Sequence, residues 1–211
     1  MNSIEKEISY QSTNSYSTLN TLNFNTKNVW LVFHGMSYLS RYFLKNFKGL
    51  DAEENYIIAP QAPSKSYIQP AFKHVGATWL TKENTPAETE NIMRYIDAVL
   101  KVERIPNHVK FIVLGYSQGV SIAMRYLAKR KLHCNTLVLM SGGIPKELVK
   151  EDFKFLNANV KHIYGIHDEY LDEERMHFET SRIKELFDDR VKIIPFDGKH
   201  IVNVELINSL V

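Results

Sequence analysis

The sequence predicts a three-layer α/β/α sandwich on a mostly parallel sheet, with an N-terminal antiparallel hairpin along one edge. Three observations lead there. Apolar runs of strand length recur at Val29–Phe33, Tyr56–Ala59, Phe111–Leu114, Thr136–Met140, Val160–Tyr164 and Val191–Phe196. These runs are continuously hydrophobic instead of alternating, as strands covered by helices on both faces must be. Segments of helical period separate them, and a chain that alternates strand with helix builds a parallel sheet between helical layers.

Taken in order, Ile4 to Leu22 is rich in Ser, Thr, Asn and Tyr, and the cluster Gln11 to Ser15 divides two loosely alternating stretches, the pattern of a hairpin. After the Val29 strand, a helix is expected over Tyr38 to Phe47. The clearest helical start is Thr85, a capping residue followed by Pro86 at the first helical position and Glu88 three residues on. Ile92, Ile96, Val99 and Glu103 continue it at helical spacing, with Met93 and Leu100 widening the apolar stripe. A second plain amphipathic helix runs from Gln118 to Lys131, burying Val120, Ala123, Met124, Leu127 and Ala128. Further helices are expected at Lys146 to Leu156, Asp172 to Phe187 and Val202 to Leu210. No repeat or low-complexity linker divides the 211 residues, so a single domain over 1–211 is expected, with 1–24 as the edge hairpin and no separate lid domain.

Bulk properties exclude several classes of function. The 26 Lys and Arg against 24 Asp and Glu leave a net charge of +2 without a long block of one sign, so no nucleic-acid partner is expected. The apolar runs are far shorter than the ~20 residues that span a bilayer. Glu5, Lys6 and Glu7 interrupt the first ten residues where a signal peptide would be apolar, which makes the cytoplasm the expected location. The single cysteine, Cys134, is expected to be buried structure, and it rules out an internal disulfide or a multi-cysteine metal cluster.

The chemistry concentrates at Gly115-Tyr116-Ser117-Gln118-Gly119. A Gly-x-Ser-x-Gly pattern would arise by chance in about 0.07 of chains this long, so its setting matters more than its occurrence. It follows an apolar run and opens a helix, the strand-turn-helix context in which a serine is held exposed on a strained elbow. Glycine two residues to either side avoids collisions with the neighbouring strand and helix. A serine hydroxyl becomes a competent nucleophile when a base removes its proton and a third group orients that base. The order Ser, acid, His directs the search to later strand ends, where Asp168 follows the run ending at Tyr164 and His200 follows the run ending at Phe196. Glu169, Asp172 and Asp197 are rival acids, and His162, His167 and His177 rival bases, but His162 falls within a strand and His177 on a helix. Two backbone amides, those of Met36 after the first strand and of Gln118 after the nucleophile, are expected to form an oxyanion hole. His34 is expected to shape the Met36 loop without titrating.

Together with the Ala59-Pro60-Gln61-Ala62-Pro63 loop, Trp79 and Ser141-Gly142-Gly143, these motifs resemble the phospholipase/carboxylesterase family, which includes the acyl-protein thioesterases, from about Trp30 onward. The resemblance implies the α/β-hydrolase fold, with Ser117 as nucleophile, Asp168 as acid, His200 as base, oxyanion amides at Met36 and Gln118, and no metal or organic cofactor. It also makes Phe72 and Trp79 an aromatic wall for an acyl group, a core role for both being the alternative. Departures are Ser37 where the family has glycine, Lys199 where glycine often precedes the histidine, and the acidic stretch Glu169 to Glu174. The implied function is hydrolysis of small carboxylic esters or thioesters through an acyl-enzyme. A peptidase or C–C bond hydrolase with the same triad, and a non-catalytic binding protein of this fold, are the alternatives.

Overall fold

The computed structural model describes residues 3–211. Its main sheet has seven strands: β1 (Tyr16–Leu19), β2 (Asn28–Phe33), β3 (Asn55–Pro60), β6 (Lys110–Tyr116), β7 (Thr136–Met140), β8 (Asn159–Gly165) and β9 (Val191–Phe196). They lie in the order β1-β3-β2-β6-β7-β8-β9, and every pairing except β1 with β3 is parallel. Strands β4 (Ser64–Tyr67) and β5 (Val75–Thr78) form a separate antiparallel ribbon that the apolar pattern did not announce, because all four residues of β4 are exposed.

The expected covering of both sheet faces holds in the central strands β2, β3, β6 and β7, whereas the edge strand β9, also expected to be buried, has no buried residue because no further strand or helix closes over that edge. In β2, Val29, Leu31 and Phe33 enter one core, while Trp30 and Val32 enter the other, and all five are 0% exposed. The first core is sealed by α2 (Thr85–Glu103), α3 (Gln118–Arg130) and α4 (Glu173–Phe187). The second is sealed by α1 (Ser40–Phe43), the 3-10 turn Leu44–Phe47 and α5 (Val204–Asn208). Burying a leucine or phenylalanine side chain contributes about 2 kcal/mol, so these stripes drive the layering.

Three expectations are corrected. The antiparallel edge is present, but as one strand in place of a hairpin: β1 pairs with β3, Leu19 opposite Ile57 and Tyr16 opposite Pro60. Residues 3–15 form no strand, and Ile4, Ile8 and Tyr10 are 79%, 88% and 83% exposed, with no surface to bury them; Met1 and Asn2 of the expected hairpin lie outside the described residues. The helix expected over Lys146 to Leu156 shrinks to a 3-10 turn at Lys150–Phe153. Arg182 of α4 donates to the Lys146 and Leu148 carbonyls, at 3.3 and 2.7 Å, which takes acceptors that a helix would use. At Thr85 the capping box does not form. Asn84 is the N-cap residue, without a side-chain cap, and the Thr85 hydroxyl donates to the Thr81 carbonyl at 2.9 Å.

Parallel strands bring the loops after β2, β6, β7, β8 and β9 to one edge of the sheet, where ligands of such folds bind. A hollow of about 1000 Å³ lined in part by Asn28, Asn55 and Lys110 opens at the opposite edge, among the amino ends of β2, β3 and β6.

Candidate active site

At the carboxyl end of β6 the chain turns sharply into α3, and Ser117 holds the turn with φ 53° and ψ −121°. That backbone lies outside the regions open to side-chain-bearing residues at low cost, and such strain persists where surrounding contacts enforce it. Enforcement comes from the Ser117 amide, which donates to the Met140 carbonyl of β7 at 2.9 Å. The flanking glycines are required by space. A Cβ at Gly115 would stand 2.5 Å from the Gly119 carbonyl oxygen, and one at Gly119 would overlap the Phe33 carbonyl of β2.

Loops from three strand ends then meet. His200 Nε2 lies 2.9 Å from Ser117 Oγ, and His200 Nδ1 lies 2.7 Å from Asp168 Oδ2. Because a carboxylate only accepts, Nδ1 carries the proton and donates it to Asp168, which leaves Nε2 as the acceptor for the serine hydroxyl. The Asp168 side chain is 0% exposed, and its other oxygen accepts the amides of Tyr170 and Leu171 at 2.9 and 3.2 Å. With both oxygens satisfied, the carboxylate has one orientation, and it fixes the imidazole ring.

The rivals occupy other places. Glu169 accepts the backbone N–H of His200 at 3.3 Å, and that contact, after its own backbone N–H, holds its carboxyl below the usual range. Asp172 caps α4 by accepting the Arg175 amide at 2.9 Å. Asp197 faces His167 at 3.2 Å, both exposed. His162 is buried within β8, and His177 is exposed on α4.

The amides of Met36 and Gln118 make no hydrogen bond to protein acceptors among the described residues, and they border the serine from the ends of β2 and β6. Gly35 packs so closely that a Cβ there would stand 3.1 Å from the Ser117 Cβ. Ser37, standing where the resembled family usually has glycine, has φ 66°, the left-handed region glycine favours, and its amide bonds the Ala77 carbonyl at 2.9 Å. His34 is 0% exposed; its Nδ1–H donates to the Gly35 carbonyl at 2.7 Å and Nε2 accepts the Ala62 amide at 3.2 Å. Burial lowers its pKa to about 4, so the ring stays neutral and ties the Met36 loop to the Pro60–Pro63 segment.

Phe72 and Trp79 are not equivalent. Phe72 stands between β4 and β5 at 58% exposure, whereas Trp79 is 1% exposed, packs edge-on to Phe33 and donates its indole N–H to the His34 carbonyl at 2.8 Å. Trp79 therefore presents almost no surface to a ligand. Its amide instead bonds the Gln118 side chain at 2.8 Å, and that side chain donates to the Leu80 carbonyl at 2.7 Å.

Sequence reasoning missed two tyrosines. The Tyr116 hydroxyl donates to the His200 carbonyl at 2.9 Å, and the imidazole lies between the Tyr116 ring at 5.3 Å and the Tyr170 ring at 4.9 Å. Tyr116 occupies a variable position of the serine motif, so nothing in the pattern singled it out.

Comparisons with known proteins follow the same line. A family model described as serine hydrolase (FSH1) matches residues 26–204. No curated protein matches the chain significantly. Among solved structures, acyl-protein thioesterase 2 of Zea mays superposes with a TM-score of 0.70 at 14% identity, over 94% of this chain and 96% of that one. A carboxylesterase of Bacillus cereus gives 0.67 at 15%, over 94% and 92%, and a phospholipase/carboxylesterase of Dyadobacter fermentans gives 0.66 at 17%, over 96% and 98%. At these identities the likeness is one of fold, the α/β-hydrolase fold that the motifs implied.

Proposed function

The chain belongs to the serine hydrolase (FSH1) family, and from that premise we propose that it cleaves carboxylic esters or thioesters through an acyl-enzyme on Ser117. The single observation that carries the reading is the continuous relay from Ser117 Oγ to His200 to Asp168, with contacts of 2.9 and 2.7 Å. Ser117 Oγ attacks the scissile carbonyl as His200 Nε2 takes its proton, and Asp168 stabilises the imidazolium that results. The carbonyl oxygen, now negative, is received by the free amides of Met36 and Gln118, each such donor lowering the barrier by about 3 kcal/mol. The bond to the alcohol or thiol then breaks, and His200 returns the proton to that leaving group. Water, deprotonated by the same histidine, attacks the acyl-enzyme and releases the acid and the free serine.

In this reading Trp79 acts indirectly. Its hydrogen bonds to the His34 carbonyl and the Gln118 side chain tie together the two segments that carry the oxyanion amides. Of the two aromatic residues, Phe72, exposed on the ribbon, is the one free to meet an acyl group. The presence of a thioesterase and a carboxylesterase among the structural neighbours supports the choice of substrate class. The proposal includes one domain without a separate lid, acting on small esters in the cytoplasm, where the buried, unpaired thiol of Cys134 suits a reducing compartment.

The test is labelling by a fluorophosphonate probe together with hydrolysis of short aryl esters, aryl thioesters and peptide amides. Labelling at Ser117 with turnover of esters or thioesters is expected, both lost in Ser117→Ala. Turnover of amides alone identifies a peptidase, and a folded protein that neither labels nor turns over is a binding protein.

A further inference from the structure

Arg175, in the first turn of α4, is an unusual cation. A positive side chain there opposes the positive end of the helix dipole. Its Nε lies 2.5 Å from Oε1 of Glu179, which is 0% exposed, yet the N–H is not aligned with that oxygen, and Oε1 has no hydrogen bond. The other Glu179 oxygen accepts the Ile144 amide at 2.7 Å, so the carboxylate anchors the loop that follows β7. Among the described residues, none of the guanidinium N–H groups donates to a protein acceptor, although the side chain is 46% exposed and therefore half desolvated. A charged fork paired on one side with a buried carboxylate, and nearly half exposed, has N–H groups left to offer an external acceptor.

Its position relates it to the nucleophile. A Cβ at Gly143 would stand 3.1 Å from Arg175 Nη2, so the absence of a side chain there lets the guanidinium rest against the loop. A Cβ at Gly142, the preceding residue, would overlap the Ser117 carbonyl oxygen. With adjacent Cα atoms about 3.8 Å apart, the guanidinium lies within about 12 Å of the nucleophile's backbone. The Phe178 ring lies 5.8 Å from the guanidinium carbon and borders it with apolar surface.

We infer that Arg175 is a specificity residue that receives a carboxylate of the substrate, so that the enzyme prefers esters or thioesters carrying a carboxylate at some distance from the scissile carbonyl. The planar fork pairs with a carboxylate through two parallel hydrogen bonds, and Glu179 sets its direction. The inference rests on the hydrolase reading above and narrows its substrate class.

Two probe series separate the sources of the carboxylate: aryl monoesters of dicarboxylic acids of graded length place it on the acyl side, and acetate esters of hydroxybenzoic acids place it on the leaving side. Each is compared with its neutral methyl ester. The expected result in the wild type is a higher kcat/KM for the carboxylate member of one series, expressed in KM and weakened by added salt. In Arg175→Gln that preference falls about tenfold or more, the size of a lost charge-assisted hydrogen bond. Because this change strands a buried Glu179, the double variant Arg175→Gln/Glu179→Gln is measured beside it, with the same fall expected. Equal hydrolysis of charged and neutral esters by the wild type, or an equal loss on both in the variants, overturns the inference and leaves the hydrolase reading standing. A folded wild type that hydrolyses neither and resists the fluorophosphonate overturns both.

Discussion

In the proposed reaction Ser117, His200 and Asp168 act as one unit, and the distances between them set what each substitution should do. His200→Ala removes the base and should lower kcat for an aryl ester by on the order of 10⁴-fold or more, with the circular dichroism spectrum retained. Asp168→Asn keeps the shape but lets the amide side chain donate toward Nδ1, favouring the tautomer with the proton on Nε2, so a loss of about 10⁴-fold is expected. A fall below tenfold in either variant, measured on the purified protein, would remove that residue from the relay. Tyr116 should behave differently. Its hydroxyl holds the His200 backbone carbonyl and makes no contact with the reacting atoms, so Tyr116→Phe should cost far less than either.

The β6 to α3 turn works because glycines let three backbones approach. Gly119→Ala drives a methyl into the Phe33 carbonyl of β2, and since both partners are backbone, neither can give way cheaply. A loss of about 3 kcal/mol in unfolding free energy is expected, read as a lower urea midpoint at constant m-value. Within β2, Leu31→Ala should cost about 2–5 kcal/mol, because its 0% exposed side chain leaves a cavity that the surrounding strands cannot close. A loss under 1 kcal/mol for either would contradict the packing described.

Across the whole molecule, two buried histidines tie stability to pH. Burial lowers the pKa values of His34 and His162 from 6.5 to about 4. In the unfolded chain both would protonate at about 6.5, so between these values the unfolded state binds more protons. Their contribution is complete above pH 6.5 and is lost as pH falls toward 4, on the order of 3 kcal/mol for each group. Among the described residues neither ring nitrogen of His162 has a hydrogen-bond partner, so His162→Leu should raise stability at pH 5 and flatten its decline between pH 6.5 and 4. Thermal unfolding across that range checks it, and an unchanged slope would exclude His162 as a source.

The sequence by itself determined the layered architecture and which three side chains, proposed to react, would meet at one edge of the sheet. Short, β-branched apolar runs such as Val29–Phe33 read as strands covered on both faces, and Thr136–Met140 and Val191–Phe196 coincide with β7 and β9 residue for residue. Ser117, Asp168 and His200 were legible because each follows a strand, and topology carries strand ends to one edge. Tertiary structure decided what depends on partners distant in the chain. Arg182 takes the Lys146 and Leu148 carbonyls that a helix would have used, and β1 finds β3 across the molecule in place of a neighbour in its own segment. The same holds for Trp79, enclosed by Phe33 and His34, which lie far from it in the chain, and for Arg175, whose significance appears when Glu179 and Gly143 surround it. Local patterns record periodicity and backbone permission; which side chain meets which acceptor is set by the packing of segments that the chain order keeps apart.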